Sequence, residues 1–231
     1  MVGAALLAAR SALLLGVGRT YACLLAKDAP SVDTLHREIM MRSMHDLDHL
    51  KSLDCAVIGP GLDTLNPSKD VLKIWLKKEI SLVLDADALN AIAQDQGLLH
   101  LLQQRAQRQL HTVLTPHPLE AARLLGTSTG EVQADRLASA QALATLTQSC
   151  VVLKGAGSVI ARTQGLPHIN PTGNARLSTA GSGDVLAGMM GARMAQGQTA
   201  WEATCGAVYA HGQRAEEGPQ DSVLTADMLA R

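Results

Sequence analysis

Several clusters in this chain have the residue types and spacing to handle a phosphate group. The densest is Thr179-Ala180-Gly181-Ser182-Gly183-Asp184, followed at once by Val185-Leu186-Ala187-Gly188-Met189-Met190. Glycines directly ahead of a helix let backbone N–H groups turn toward an anion, and the helix N-terminus adds partial positive charge. A carboxylate at that place repels bound phosphate. Asp184 makes chemical sense there if it takes a proton from a hydroxyl that attacks phosphorus. The alternative is local: Ser182 or Asp184 simply caps the helix.

Lys154-Gly155-Ala156-Gly157-Ser158 presents a point charge and backbone donors suited to phosphates. The lysine precedes the glycines, so this is not a Walker A loop, and an ordinary hairpin turn would account for it equally. Thr115-Pro116-His117-Pro118-Leu119-Glu120 holds one histidine between two prolines, which restrict the backbone and make His117 a ligand contact; Glu120 either complements the helix dipole or lies near a metal-bound phosphate. Gly59-Pro60-Gly61 allows close approach of a ligand or is a plain turn. In Asp85-Ala86-Asp87-Ala88-Leu89-Asn90, Asp85 is the functional candidate and Asp87 the expected N-cap; the two carboxylates together could hold Mg²⁺ through water. His36, His45, His49 and His100 lie in polar helical stretches and read as surface residues.

These clusters need elements to carry them. Four apolar runs end on them: Cys55-Ala56-Val57-Ile58, Ile80 to Leu84, Thr112-Val113-Leu114 and Cys150-Val151-Val152-Leu153. Continuous apolar strands alternating with helical patterns predict a parallel sheet covered on both faces, with ligands beyond the carboxyl ends of the strands. Ser158–Arg162 and Leu166–Ile169, separated by Thr163-Gln164-Gly165, predict an antiparallel hairpin. Helices are expected from about Gly183 to Gln196 and from about Ala200 to Glu217.

Composition narrows the function classes. At 231 residues the chain suits one α/β domain, and 20 Lys+Arg against 21 Asp+Glu leave a net charge of -1 with no basic block, which argues against nucleic-acid or acidic-membrane partners. Aromatic residues make up 2% and Phe is absent, so stacking platforms for single strands are lacking. Cys23, Cys55, Cys150 and Cys205 form no C-x-x-C pair, which fits a reducing, cytoplasmic setting. Met1 to Leu15 is rich in Ala and Leu, but Arg10 interrupts it and Gly16-Val17-Gly18 ends it. That pattern predicts a core helix rather than a signal peptide. No apolar run reaches the length of a membrane span.

In order along the chain, Val57–Leu62, Leu84–Asn90, Leu114–Glu120, Val152–Ser158, the run Asn174–Gly191 and Ala207–Gly212 together resemble the ADP-dependent NAD(P)H-hydrate dehydratases of the ribokinase-like superfamily. The resemblance implies a ribokinase-like three-layer sandwich over residues 1–231, with a mostly parallel central sheet and a C-terminal antiparallel hairpin. It implies repair of hydrated NADH or NADPH with conversion of ADP to AMP and phosphate, and Mg²⁺ as a cofactor. Carried over residue by residue, Lys154, Gly155, Ala156, Gly157, Ser158 and Gly183 would bind the nucleotide. Ala4, Gly61, His117 and Asp184 would contact the hydrate, with Asp184 as the base. A homo-oligomer, with a tetramer as one form, is also implied.

One departure stands out. The family opens with a strand and a Gly-Gly-x-x-Gly-Met-x-Gly-Ala segment, and Met1-Val2-Gly3-Ala4 matches inside that segment. The first strand is therefore expected to be missing, through an upstream start or a shortened product, leaving exposed ladder edges. Two other readings share the motifs: a ribokinase-like kinase of a small alcohol such as a thiamine precursor, and an inactive nucleotide-binding paralogue.

Overall fold

A computed structural model describes residues 1–50, 52–63, 66–217 and 223–231, apart from the side chains of 66 and 67. A six-stranded sheet runs through its centre: β3 (Cys55–Ile58), β4 (Ser81–Leu84), β5 (Thr112–Leu114), β6 (Cys150–Leu153), β7 (Val159–Ala161) and β8 (His168–Ile169), in that spatial order. The first four strands are parallel, and β7 and β8 add antiparallel. Ahead of them lie α1 (Val2–Leu14), a separate parallel pair β1 (Tyr21–Ala22) and β2 (Met40–Met41), and α2 (Met44–Asp48).

Alternation along the strands sets the two faces. Leu82, Leu84, Leu114, Val151 and Leu153 pack against one helical layer: α3 (Asn66–Lys77), α4 (Asp87–Ala93), α5 (Gln96–Gln107), α6 (Pro118–Leu125), α7 (Thr129–Ala134) and α8 (Arg136–Thr147). Val83, Val113, Cys150 and Val152 face the other layer, made of α9 (Ser182–Ala195), α10 (Ala200–Glu216) and α11 (Ala226–Ala230). This is the three-layer arrangement that the apolar runs predicted. The expected hairpin is β7–β8, and the two long late helices are α9 and α10.

α1 lies along α9. Small residues permit the approach: a Cβ at Gly188 would come within 2.1 Å of Ala8 O, and Ser11 Oγ donates to Val185 O at 2.9 Å. Arg10 leaves the other side of α1 to pair with buried Asp33 at 2.7 and 2.9 Å, which ties the β1–β2 segment to the helix. The outer edge of β3 faces a cavity of about 560 Å³ lined by α1, β1, α3 and α9, including Ala5, Ala9, Tyr21, Val57, Trp75 and Ala192. No helix among the described residues is long and apolar enough to cross a membrane.

At the amino edge of the sheet, Arg105 on α5 is 1% exposed. It donates to Thr112 Oγ1 at 2.8 Å, Leu76 O at 3.2 Å, Lys78 O at 2.9 Å, Ile80 O at 2.5 Å and His111 O at 3.4 Å. Burial pulls its guanidinium down to about 10, still cationic at neutral pH. Among the described residues no carboxylate pairs with it; backbone carbonyls supply the counter-dipoles. Arg105→Leu strands several buried carbonyls at once, so urea denaturation should show a loss of about 3 kcal/mol or more.

Candidate active site

The carboxyl edge of the sheet collects the chemistry-bearing residues. At the exit of β3, Gly59 adopts φ +124°, and a Cβ there would fall 1.7 Å from Asp85 O, so only glycine lets this loop pass the end of β4. Asp85 N is anchored to Ile58 O at 3.0 Å, and the Asp85 side chain is 2% exposed. Next, Ala86 sits at φ +50°, ψ -115°, a strained conformation for a residue with a side chain. That kink turns Asp85 inward and Asp87 outward. Asp87 therefore does not cap α4, contrary to the sequence expectation; the N-cap is Ala86, without a side-chain bond, and Asp87 Oδ2 accepts from Asp63 N at 2.8 Å.

Lys154 reaches across from β6 to Asp85, Nζ to Oδ1 2.8 Å, while its own amide is held by Pro116 O at 2.9 Å. Burial works against the ammonium, but Asp85, Glu120 and Asp184 outweigh it and hold Lys154 above the ordinary lysine range. The following loop is stapled from beneath by Arg136 at the start of α8. This arginine donates to Leu153 O at 3.1 Å and to Ala156 O. Gly155 takes φ +146°, a conformation that residues with side chains rarely adopt, and lies against the Arg136 guanidinium. Gly155 and Ala156 are exposed, and Ser158 Oγ closes the turn on Gly155 O at 3.2 Å. Arg136 escaped the sequence reading: a helix-start arginine 17 residues before Leu153 carries no local mark of its partner.

His117 is fixed more tightly than its flanking prolines alone suggest. It is the N-cap of α6, its Nδ1 accepts from Leu119 N at 3.1 Å and Glu120 N at 3.3 Å, and Glu120 returns the contact by accepting from His117 N at 2.8 Å. Nδ1 is thus an acceptor, which places the neutral ring's proton on Nε2, 3.2 Å from Glu120 Oε1. Burial pushes the imidazole below its usual range, with Lys154 adding to the effect, and burial raises Glu120. The ring is half-exposed beside the Lys154 cluster and offers a neutral face to a ligand.

α9 starts against this cluster. A Cβ at Gly183 would stand 3.3 Å from Lys154 Nζ and 4.0 Å from Asp85 Oδ2. The N-cap is Gly181, φ +88°, with no side-chain cap, and Ser182 Oγ instead donates backward to Leu177 O at 2.8 Å. Neither Ser182 nor Asp184 caps the helix, so the local alternative for these residues is set aside. Among the described residues no hydrogen bond or ion pair engages the Asp184 carboxylate. Burial first, then Asp85 and Asp87, push it up to about 6 against the opposing pull of Lys154 and the Met1 ammonium.

Asp85, His117, Glu120, Lys154, Gly183 and Asp184 therefore converge. Gly61 borders them: at φ +68° its carbonyl accepts from the Met1 ammonium at 3.1 Å, and a Cβ would meet Met1 O at 2.1 Å. Ala4 lies one turn before Leu7, whose Cδ1 packs on Gly181, and at 5% exposure it presents little surface. The large cavity beside β3 reaches the site only at Met1 and Gly59–Leu62. Its volume runs along the sheet edge, and Asp85, Lys154 and Asp184 do not line it.

The family model for NAD(P)H-hydrate dehydratase matches residues 1–231. The chain belongs to that family. It is 37% identical to an ADP-dependent (S)-NAD(P)H-hydrate dehydratase of Neisseria meningitidis over all of this chain and 77% of that protein. It is 36% identical to a bifunctional NAD(P)H-hydrate repair enzyme of Moorella thermoacetica, and spans about half of that relative's length, 46%. The crystal structure of an ADP/ATP-dependent NAD(P)H-hydrate dehydratase from Bacillus subtilis, co-crystallised with ATP/Mg²⁺ and soaked with CoA, superposes with a TM-score of 0.81 at 29% identity, covering 99% of this chain and 84% of that one. The ribokinase-like fold and the dehydratase resemblance read from the motifs are both borne out.

Lys154→Met removes the only cation that, among the described residues, is bonded to buried Asp85, and should cost about 3–5 kcal/mol. Adding Asp85→Asn should recover much of that loss, giving a coupling well above additivity in a double-mutant cycle read by chemical denaturation.

Proposed function

We propose that this protein dehydrates the S form of hydrated NADH or NADPH, using ADP and releasing AMP and phosphate. The observation that carries the reading is Asp184: an uncapped, unpaired carboxylate in the first turn of a glycine-started helix, beside Lys154, with its acidity weakened to about 6.

The chemistry follows from that placement. Hydroxide is a poor leaving group, so the ring hydroxyl must be activated. Asp184 takes the hydroxyl proton, the oxygen attacks the terminal phosphorus of ADP, and the P–O bond to AMP breaks. The C–O bond of the phosphate ester then breaks as the ring nitrogen lone pair pushes in. A proton leaves the neighbouring carbon, and the products are the reduced nicotinamide and phosphate. The Gly155–Ser158 loop, exposed at Gly155 and Ala156, and the amides at the start of α9 hold the phosphates, with Gly183 giving close access. Neutral His117 and the Gly61 turn face the hydrate, and Ala4 backs them from α1.

Mg²⁺ fits this site as a nucleotide-borne ion. No group of three or more His, Cys, Asp or Glu side chains among the described residues could cage a metal, and Asp85 and Asp87 are already engaged. An ion carried on the phosphates with water needs no such cage, and when bound it would neutralise phosphate charge.

Hydrated NADH supplied with ADP should regain the absorbance of reduced nicotinamide with equimolar AMP. Accumulation of a phosphorylated product without that recovery would mark a kinase instead. Asp184→Asn should bind ADP normally but lose about 10²–10⁴-fold in kcat. The base works deprotonated, so wild-type kcat/KM should fall as pH drops through about 6 and hold above it. A flat profile between pH 5 and 8 would remove Asp184 from that role.

A further inference from the structure

The start of α9 is held differently from the starts of α5, α8 and α10. α5, α8 and α10 are each capped by a side chain, from Asp95, Asp135 and Thr199 respectively. α9 begins on Gly181, which has no side chain, and the turn itself is rich in glycine. Such a turn loses more conformational freedom on ordering than any other. Something outside the helix must restrain it.

That restraint comes from α10. His211 is 6% exposed, and its Nε2 lies 2.9 Å from Ser182 O; a carbonyl only accepts, so the ring donates. The same helix face grips the segment leading into α9. Thr172 Oγ1 donates to Tyr209 O at 2.8 Å, Asn174 Nδ2 to Ala215 O at 3.1 Å, and Gly173 N to Glu216 Oε1 at 2.7 Å. Gly212 makes this contact possible, since a Cβ there would fall 2.2 Å from Thr172 Oγ1. Burial keeps the His211 imidazole neutral, down to about 4, so the bond persists across the physiological range as a neutral N–H donor.

We infer that His211 is a positioning residue for the reaction: its hydrogen bond to Ser182 O sets the first turn of α9, and with it the line between the phosphate-facing amides and the Asp184 carboxylate. His211 touches no substrate in this scheme and acts only through Ser182. The inference rests on the proposed role of Asp184 as base. Its physical content is that a turn of glycines cannot hold a near-attack geometry unaided, and small misplacements there are costly.

The test compares His211→Gln, whose amide keeps an N–H donor, with His211→Met, which fills similar space without one. The methionine variant should melt within a few degrees of wild type. It should lose about 10–100-fold in kcat for hydrate repair with little change in the KM for ADP. The glutamine variant should stay within about threefold of wild type. His211→Asn, too short to reach Ser182, stands in if the methionine variant fails to fold. Amide hydrogen exchange is read in parallel over residues 180–186, and should quicken in the Met and Asn variants but not in the Gln variant. If wild type repairs no hydrate, the proposed function fails on its own, and the exchange data still decide the His211 role. Equal losses in Gln and Met, full activity in Met and Asn, or unchanged exchange would each overturn it.

Discussion

Lys154 stands where three carboxylates favour its charge, yet it is bonded to only one of them. Asp85 holds the ammonium at 2.8 Å, and Glu120 and Asp184 feel it at longer range. That choice of partner shapes the rest of the edge. If the lysine were paired with Asp184 instead, the aspartate would be stabilised as an anion and become a poorer base. With Asp85 as the partner, Asp184 is left without an ion pair among the described residues, and burial keeps it weakly acidic. The loops around this pair follow from it. Gly59 clears the Asp85 carbonyl, Gly183 clears the lysine, and strained Ala86 aims Asp85 at Lys154 rather than at solvent.

The two edges of the sheet divide the labour. The amino edge is locked by one buried guanidinium whose donors go to carbonyls from α3, the loop between α3 and β4 and the turn into β5, together with Thr112. The carboxyl edge is built from glycines, positive-φ residues and ion pairs that no apolar packing replaces. A site of that kind is costly to hold, and Arg136 and His211 act as external braces on the Gly155–Ser158 loop and on the start of α9. Rigid elements under irregular loops are the usual way to combine access with alignment.

The strands were legible because their signal is local: four apolar runs, each ending in a polar or glycine turn, became β3 to β6 with bounds within one residue at most. Asp184 was legible for the same reason, as an acidic residue after glycines at a helix start. What stayed hidden depends on distant partners. His211 lies in the Ala207–Gly212 segment that carries the resemblance, but nothing there marks the carbonyl 29 residues away that it bonds. Arg105 looks like one more polar residue on an amphipathic helix until the amino edge closes around it. Asp87 misled because its sequence context is that of an ordinary cap, and only the positive φ of Ala86 turns it away. His117 lay between: the prolines pointed to rigidity, but its exchange of bonds with Glu120 needed the helix to be in place.

The position of Asp184 along its helix makes the argument for chemistry stronger. It is the third residue after the N-cap, the place that Asp46, Glu120, Glu131 and Glu202 occupy in α2, α6, α7 and α10. Each of those carboxylates reaches back to the amide of a Ser, His or Thr cap that bonds it in return. Both Glu131 and Glu202 are held below the usual carboxylate range, Glu202 by its Thr199 cap and Glu131, at about 2, first by the Thr127 hydroxyl and then by its Ser128 cap. In α9 the cap is Gly181, and the reciprocal side-chain partner does not exist. The same helical position thus yields a spent carboxylate where the cap has a side chain, and an unengaged one where the cap is glycine. Placing glycine there removes a stabilising bond from α9, and the compensation is a carboxylate whose protonation state is still open to change when a hydroxyl arrives beside it.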